Sequence, residues 1–366
     1  MNFNKIISFT FFFLFLTSVS PTLLSHHSFS HFYDVFTQME GTLIEVKWKN
    51  PHVSFMVETV DVNGEAKLWE METGTIYMIG RAGVTRDLFT EGDRIRVAGH
   101  TSSIYPNKFH LKNVLTPNGD EIITVANSPA IWTDNAIGGR QQWSDEPLYD
   151  NDDTSKGEGI FKVWSPPAVI TGGTLFDSEN SLSDSVNDSS EFAPTLPEPL
   201  ESLLTERSIK SRDAWDAYDF DKNCSIPGMP RNNFGPHPHQ FIDQGDQIII
   251  ISGEFNTPRT VYLNSDLSTD LQAFSPMGFS KGYWKNENTL VVNTSRINFP
   301  YLNLSGAGQS NLVTIEEVYV VNMEGSRVDY SVIVDDPLML KRPWVFNGFW
   351  IDLNERISIY DCEVNG

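Results

Sequence analysis

"GTLIEVKWKNPHVSFMVETV", residues 41–60, carries the pattern that decides the fold of the first half of the chain. Apolar and polar residues alternate through two runs, and Asn50-Pro51 separates the two runs. Alternation with a period of two is typical of half-buried β-strands, and an Asn-Pro pair marks a turn. The stretch therefore predicts two strands that pair with each other.

The sequence that follows supplies the other parts of a small closed barrel. A turn and a third strand are predicted by "VNGEAKLWEME" (62–72), and a short helix by "GTIYMIGRAG" (74–83). Two more strands are predicted by "GDRIRVAGH" (92–100) and "KFHLKNVL" (108–115). Three strands, a helix and two strands follow one another in the order of the OB fold, a five-stranded barrel. We therefore expect an OB-like domain over residues 26–125.

An irregular acidic spacer is predicted next, over residues 126–205. It is rich in Ser, Asp, Asn, Glu and Pro and poor in periodic apolar residues. Such a segment cannot bury enough surface to offset the entropy of ordering, so we expect loop or disorder. One stretch within it, "IFKVWSPPAVI" (160–170), is more apolar, and we expect it to pack on a neighbouring domain.

A second β-domain is predicted over residues 206–366. It begins with a helical segment that Thr205 caps, and it continues as alternating runs separated by hairpin turns. No segment between these runs is a helix long enough for a parallel crossover. We therefore expect an antiparallel β-barrel or a curled meander of the lipocalin type. The expected fold class of the chain is all-β.

Residues 1–25 have the features of a signal peptide. Lys5 precedes an apolar stretch from Ile6 to Val19, which has the length of a signal-peptide core and is too short to span a bilayer comfortably. We expect export, a periplasmic or secreted location, and a mature chain that begins between Pro21 and His27. No second apolar stretch approaches membrane-spanning length, so we expect no membrane attachment after cleavage.

The composition limits the partners that the protein can have. The chain has 48 acidic and 26 basic residues and a formal net charge of −22. Binding to nucleic acid or to an anionic membrane is driven by Lys and Arg, so this charge argues against both. The sequence names no protein partner. Its two cysteines, Cys224 and Cys362, form a disulfide in an oxidising compartment, and a pair of buried thiols is the alternative.

Several motifs resemble two families of exported bacterial domains of unknown function. The first resemblance covers about residues 26–125, implies an OB-like domain, and is carried by "HHSF", "KNPHV", "LWEME", "RAGVTRDL" and "EGDRIRVAG". The second half is similar to a β module often found beside the first, through "CSIPGMPR", "MGFSKGYWKNENTLVVNT", "DDPLMLKRPW" and "YDCEV". The chain departs from that second pattern at "GPHPHQ" and in the acidic insert at 176–199. Neither resemblance implies a reaction.

A metal site is one hypothesis for the N-terminal histidines. His26 and His27 would meet His52 if the N-terminus packs beside the first hairpin, and Glu72 would join them from the third strand. Imidazoles together with a free amine suit Cu(II) or Zn(II). The alternatives are histidines that cap the barrel through hydrogen bonds, or a flexible His26-His27 pair. No other cofactor is predicted.

A second candidate site lies in "RNNFGPHPHQ", residues 231–240. His237 and His239 are two residues apart, so in an extended chain they point to the same side. At a barrel rim they could act as base and acid or as metal ligands, with Arg231, Arg342 and Glu254 as charged neighbours. The alternative is a proline-stiffened loop with exposed histidines.

Ligand-binding residues are predicted on the strands of the second domain. Arg259, Glu317 and Tyr319 lie on strands expected to line one barrel, where a charge is costly unless it is paired or faces a ligand. Trp284 and Trp344 belong to a group of aromatic residues near the last strands, which would favour an apolar or ring-shaped ligand. The alternative is that the charged residues face solvent and the aromatic residues belong to the core.

Some catalytic motifs are excluded or weak. "GFSKG" (278–282) matches the G-x-S-x-G pattern around Ser280, but that motif needs a strand before the serine and a helix after it. A strand is predicted after this serine, so we do not expect Ser280 to be a nucleophile. The chain has no nucleotide-binding fingerprint and no C-x-x-C pair.

Three functions remain open at this point. The leading hypothesis is an exported protein that binds a small, partly apolar molecule in its C-terminal barrel. The second is a nucleotide-independent enzyme (a lyase, isomerase, cyclase or hydrolase) that uses His237 or His239 as a base. The third is a structural or interaction protein. An open cavity that reaches the histidines would favour the enzyme, and a closed, dry barrel would favour the third hypothesis.

Overall fold

The computed structural model describes residues 35–102, 105–125, 128–139, 142–150, 157–167, 200–211, 224–233, 235, 237–264, 266–303 and 306–362. Most of the regular structure in these ranges is β, so the predicted all-β class is confirmed. The predicted signal peptide, His26, His27 and much of the acidic spacer lie outside the described residues. None of the described helices is long and apolar enough to cross a membrane.

The first sheet is an OB barrel with two added strands. Its strands are β1 (Phe36–Lys47), β2 (Ser54–Val60), β3 (Ala66–Glu72), β4 (Arg94–Thr101), β5 (Lys108–Leu115), β6 (Glu121–Ile123) and β7 (Ile137–Gly138), with helix α1 (Ile76–Arg81) between β3 and β4. β1 pairs with β2 and with β4, and a parallel pairing of β3 with β5 closes the barrel. The circular order β1-β2-β3-β5-β4 is that of the OB fold, as predicted. β6 and β7 extend the sheet beyond β5.

The predicted alternation explains the core of this barrel. Leu43 on β1 and Phe55 and Val57 on β2 are fully buried, and they pack with the apolar side chains of β4 and β5. At Gly99 a side chain would clash with the backbone carbonyl of His110, because β4 and β5 approach closely beside a bulge. Only glycine therefore fits at that point of the barrel.

The second sheet has nine strands. They are β8 (Val163–Trp164), β9 (His239–Asp243), β10 (Gln247–Ser252), β11 (Thr257–Leu263), β12 (Phe279–Asn286), β13 (Thr289–Ser295), β14 (Thr314–Val321), β15 (Arg327–Asp335) and β16 (Trp344–Ile351). They lie side by side in the order of the sequence. Neighbours are antiparallel, as predicted, except that β11 and β12 are parallel. A 3-10 turn at Thr269–Leu271 lies in the connection between those two strands.

This sheet is nearly closed into a barrel. Ser165, directly after β8, and Ile351, at the end of β16, exchange two backbone hydrogen bonds of 2.9 Å. We call this junction of Ser165 and Ile351 the seam. In the described part of the chain it joins the first and last strands of the sheet through one residue pair.

Two short helices, Leu200–Leu203 and Glu206–Ser211, precede the main run of strands. The hydroxyl of Thr205 accepts a hydrogen bond of 3.3 Å from the backbone N–H of Ser208, so the predicted N-cap is confirmed. Thr205 is also tied to the second barrel, because its backbone N–H donates to the carbonyl of Met339. The capped helix is therefore fixed against the barrel wall.

Residues 352–362, which we call the return segment, leave β16 and connect the two barrels. Glu355 is buried against α1 of the first barrel, and Cys362 forms a β-bridge with Asn50. The predicted disulfide between Cys224 and Cys362 is confirmed, with Cα atoms 6.0 Å apart. It links the return segment to the start of the chain segment that leads into β9.

Candidate functional site

A cluster of buried polar side chains lies in the second barrel and at its junction with the first barrel. The 3-10 turn Arg231–Asn233 contributes to it, and the barrel strands contribute the rest. Of the five charged residues predicted near or inside this barrel, four are buried in the structure; they are Arg231, Glu254, Arg259 and Glu317. We call these four residues, together with Asn232, Asn233, His237, His239 and Tyr319, the polar cluster.

Glu317 is the centre of one half of the polar cluster. Its carboxylate accepts hydrogen bonds from the guanidinium of Arg259 on β11 and from the side-chain amide of Asn233. It also accepts a hydrogen bond of 2.6 Å from the hydroxyl of Tyr319. This buried charge is therefore fully paired, which is the condition under which a protein interior tolerates it.

Burial and the charge of Glu317 determine the protonation states of Tyr319 and Arg259. Burial raises the pKa of Tyr319 well above its usual value, and the charge of Glu317 raises it further. Burial alone would lower the pKa of Arg259, but the neighbouring Glu317 more than offsets this, so the pKa is raised. Arg259 thus stays charged and Tyr319 stays protonated as a hydrogen-bond donor.

The other half contains an ion pair and His237. The guanidinium of Arg231 donates a hydrogen bond of 2.9 Å to Glu254. His237 is buried, and its ring centroid lies 5.7 Å from that of Tyr77, which belongs to α1 of the first barrel. Burial lowers the pKa of His237, while Glu254 acts in the opposite direction and Arg231 adds to the lowering. His237 is therefore neutral near pH 7.

His239 is the most unusual member of the polar cluster. Its side chain is stacked on Trp350 with ring centroids 4.4 Å apart and only 1% of the residue is exposed. Burial lowers its pKa to about 3, although backbone groups of Asn232 and His237 act in the opposite direction. Among the residues that the structure describes, neither ring nitrogen makes a hydrogen bond of ordinary geometry, and the backbone groups of Asn232 and His237 that raise the pKa are weaker hydrogen-bonding neighbours of the ring. The side-chain nitrogen of Asn232 is also buried and also makes no hydrogen bond of ordinary geometry to the described residues.

The polar cluster carries no net charge. Its two carboxylates are paired with its two guanidinium groups, and burial keeps both histidines neutral. Aromatic rings surround it: Phe241 contacts Tyr319 at 5.3 Å, and Trp350 contacts Tyr330 at 4.6 Å between ring centroids. The arrangement is a set of paired polar groups enclosed by aromatic side chains.

The structure places the other predicted residues outside this cluster or at its border. Arg342 is exposed, on the connection before β16. Trp284 is half-buried and packs on Phe161, with ring centroids 6.0 Å apart. Trp344 is buried and packs on Phe346, with ring centroids 4.9 Å apart. The roles predicted for these three residues remain predictions.

Ser280 is part of the barrel wall. It lies on β12, and its hydroxyl shares a hydrogen bond of 2.8 Å with Thr294 on the neighbouring strand. Both side chains are buried. The serine therefore stands within a strand, and the strand-to-helix turn of a nucleophile elbow is not formed around it.

Three functional candidates were missed by the sequence analysis. Asn232 and Asn233 carry no periodic signal, and Asn233 reaches Glu317 across 84 residues of sequence. Tyr77 was part of a predicted helix, and no pattern indicates that this helix packs against the second barrel. For Asn232 and Asn233, the only signal in the sequence was their adjacency to Arg231.

The metal hypothesis involves residues that the structure describes only in part. His52 Nδ1 lies 4.0 Å from a carboxylate oxygen of Glu72, so these two predicted ligands are neighbours. Within the described ranges, no group of three or more His, Cys, Asp or Glu side chains is arranged to hold a metal ion. His26 and His27 lie outside these ranges, and the Cu or Zn site stays a prediction.

A separate groove of about 480 Å³ lies on the outer face of the second barrel. Lys281, Glu316 and Asp335 are among its polar lining residues. Glu316 and Glu317 are consecutive on β14, so their side chains point to opposite faces of the sheet. The groove is therefore separated from the polar cluster by the barrel wall.

The comparisons with known proteins concern the first barrel. Residues 15–106 match a family of unknown function, DUF6152. No curated protein matches the chain. The matched range includes β1–β4 and α1, and it supports the predicted resemblance of this part of the chain to a domain family of unknown function. The resemblance of the second half stays a prediction.

Proposed function

We propose that the protein is exported and binds a small, uncharged, partly apolar molecule inside its second barrel. The observation that carries the proposal is His239, a buried imidazole whose two ring nitrogens make no hydrogen bond of ordinary geometry among the described residues, although backbone groups of Asn232 and His237 act weakly on the ring. The side-chain amide of Asn232 supplies a further donor in the same state. In this proposal, both groups hydrogen-bond to the ligand.

The energetic argument begins with the cost of an unsatisfied buried polar group. Such a group costs about 1–3 kcal/mol, and most buried polar atoms in native proteins therefore have a partner. A phenylalanine would keep the stacking on Trp350 at lower cost. A histidine at this position is explained if a bound molecule or an ordered water satisfies its nitrogens.

The chemistry of the surroundings indicates the class of ligand. The polar cluster has no net charge, so a charged ligand would enter an interior that offers it no counter-ion. The rings of Phe241, Tyr319 and Trp350 favour an apolar or aromatic body. We therefore propose a neutral molecule with one ring or short apolar body and one amide, carbonyl or hydroxyl group.

Several features favour binding over acid–base catalysis. A general base works best when its pKa lies near the working pH, and the pKa of His239 is about 3. Arg231 and Arg259 are held by Glu254 and Glu317, so their charges are already neutralised. The side chains of the polar cluster are buried, which is the condition that favours the structural hypothesis. Under the binding hypothesis the bound molecule must therefore be small and must enter by displacing part of the wall.

Export is part of the same proposal. The Cys224–Cys362 disulfide supports it, because such bonds persist in oxidising compartments and are rare in the cytosol. The apolar stretch after Lys5 supports it through its length.

The first prediction tests the ligand class and the role of His239. We expect ligand-observed NMR to detect binding of benzamide or benzyl alcohol to the wild-type protein, and no binding of the charged analogues benzoate and benzylamine. His239→Phe keeps the ring stack and removes the nitrogens, so affinity should fall about tenfold or more, the effect of losing about 1.4 kcal/mol.

The matched control is His110→Phe. His110 is also buried and its pKa is also lowered to about 3, but it lies on β5 of the first barrel. This variant should bind benzamide as the wild type does. The absence of binding of either neutral fragment, or equal affinity in the wild type and the His239→Phe variant, would contradict the proposed function.

A further inference from the structure

We propose that the groove on the outer face of the second barrel is a second binding site, which takes a small dipolar molecule with a guanidinium or ammonium group at one end and a carboxylate at the other. The barrel wall separates this groove from the polar cluster, so the two sites are independent of each other. Three features of the groove indicate the ligand: the register of the strands that form its floor, the chain that forms one wall, and the order of its charges.

Four strands form the floor of the groove. Lys281 on β12 pairs with Asn293 on β13, and Asn293 pairs with Glu316 on β14. Glu316 in turn pairs with Ile333 on β15. Directly paired residues point to the same face of a sheet, so these side chains form one row across it. Asp335 lies on the same face of β15, two residues beyond Ile333. The strand register therefore holds the polar lining residues in a fixed order.

The connection between β11 and β12 forms one wall of the groove. Thr269, in the 3-10 turn of this connection, lines the groove, and the ammonium group of Lys281 donates a hydrogen bond of 3.2 Å to the carbonyl of Leu267. Phe279, where β12 begins, is buried and stacks on Tyr262 with ring centroids 5.3 Å apart. The connection thus turns a face of the sheet into a groove of about 480 Å³, a volume typical of small-molecule sites.

The charges of the groove are ordered from one end to the other. Neighbouring strands are about 4.8 Å apart, so the backbone positions of Lys281 and Glu316, which are two strands apart, are about 10 Å apart. Asp335, on the next strand, is farther still from Lys281. The groove therefore has a positive end and a negative end, with the amide of Asn293 between them. Its charged lining residues are one cation and two anions, so a dipolar ligand with one excess positive charge complements it.

The chemistry of the two ends indicates an organic ligand. Glu316 and Asp335 are diagonal neighbours on adjacent strands, and a planar guanidinium, with five N–H donors, can donate to two carboxylates at once. Within the described ranges, neither carboxylate belongs to a group of three or more side chains that could hold a metal ion. At the other end, the ammonium group of Lys281 has three donors, and the carbonyl of Leu267 takes one. The remaining donors can bind a ligand carboxylate.

The closing experiment uses L-arginine as the probe, because it has a guanidinium group, a carboxylate and one excess positive charge. Titration of the wild type, followed by NMR through the amide signals of β12–β15, should show saturable binding. Citrulline, which has a neutral urea in place of the guanidinium, should bind about tenfold more weakly or not at all. Glu316→Gln and Asp335→Asn should each weaken arginine binding by about tenfold for the same reason. The control is Glu58→Gln, which removes the same charge from an exposed strand position of the first barrel and should leave the affinity unchanged.

A second probe tests the positive end of the groove. Agmatine has the guanidinium of arginine and lacks its carboxylate, so Lys281→Met should lower the ratio of arginine affinity to agmatine affinity by about tenfold. His239→Phe should leave arginine binding unchanged, because the barrel wall lies between the two sites. Three results would overturn the proposal: no saturable binding of arginine, equal weakening by Glu316→Gln and Glu58→Gln, which would indicate general attraction to an acidic protein, or an unchanged affinity ratio in Lys281→Met.

Discussion

At the scale of single residues, His110 and His239 impose a pH dependence on stability. Burial lowers the pKa of each to about 3, whereas an unfolded histidine has a pKa of about 6.5. Between these values the unfolded chain binds more protons than the folded chain, so the free energy of unfolding falls as the pH falls. Each of these histidines thus favours unfolding at mildly acidic pH.

A second prediction isolates the contribution of His239. Between pH 7 and pH 5, a histidine with these two pKa values reduces the free energy of unfolding by about 2 kcal/mol. The His239→Phe variant cannot take up this proton in either state, so its stability should decline by about 2 kcal/mol less over the same range. Urea unfolding at the two pH values measures the difference. A decline equal to that of the wild type would show that His239 is not buried in the neutral form.

Single residues also show what the sequence could and could not predict. Arg231, Glu254, Arg259 and Glu317 could be grouped from the sequence, because a charge that faces into a barrel must be paired or face a ligand. The same reasoning included Arg342, which is exposed. The unsatisfied nitrogens of His239 were not predictable. They depend on its stacking against Trp350, which follows it by 111 positions in the numbering of the chain and meets it only when the barrel closes.

At the scale of elements, one carboxylate organises the segment that follows the OB barrel. Glu121 on β6 is fully buried, and it accepts hydrogen bonds from the backbone N–H groups of Ile131, Trp132 and Thr133. Burial would raise its pKa, but these hydrogen bonds and one from Asn113 outweigh burial, so the pKa is lowered. The ionised carboxylate of Glu121 is therefore the form that binds the backbone N–H groups of residues 131–133.

The third prediction follows from this arrangement. Glu121→Gln replaces charge-assisted hydrogen bonds with weaker ones and leaves backbone N–H groups unsatisfied, so it should destabilise the protein by about 2 kcal/mol or more at pH 7. The difference from the wild type should shrink as the pH falls below about 4.5, because the wild-type carboxylate is then protonated through its lowered pKa. Urea unfolding across this pH range measures both effects.

The control for this element is Glu58→Gln, on an exposed position of β2. It should change stability by less than about 0.5 kcal/mol. If both variants behave alike, the hydrogen bonds to Glu121 contribute nothing measurable to the fold.

A strand was predictable from the sequence where it is long enough to show alternation of apolar and polar residues. β1, β2 and the strands from β9 to β16 have clear alternation, and the sequence predicts them. β7 and β8 have two residues each and lie within the predicted spacer, so no periodicity reveals them. The parallel pairing of β11 with β12 was also missed, because the described part of its connection holds a 3-10 turn in place of the helix that usually joins parallel strands.

At the scale of the whole molecule, the disulfide closes a long loop. Cys224 and Cys362 are 138 positions apart and enclose all strands from β9 to β16. In the chain-entropy model, a loop of this length stabilises the folded state by about 4–5 kcal/mol. The bond also fixes the return segment beside the residues that lead into the polar cluster.

The fourth prediction concerns this bond. Reduction of the wild type should lower the midpoint of urea unfolding, because the reduced chain regains the entropy of an open loop. The Cys224→Ser, Cys362→Ser double variant should start at the lower midpoint and be insensitive to reductant. An unchanged midpoint after complete reduction would show that the disulfide does not contribute to stability.

The buried guanidinium of Arg81 limits which domains can be joined to the OB barrel in evolution. Apart from Tyr77, the partners of its guanidinium among the described residues are Asp145, the carbonyl of Glu146, Trp143 and Glu355. All of them lie beyond residue 106, where the match to the DUF6152 family ends. A gene fusion that carried the barrel strands up to Leu115 to a new neighbour that covers α1 would leave a desolvated charge without these partners. In relatives whose OB barrel is joined to a different domain, we expect position 81 to be uncharged, or the new neighbour to supply its own buried carboxylate.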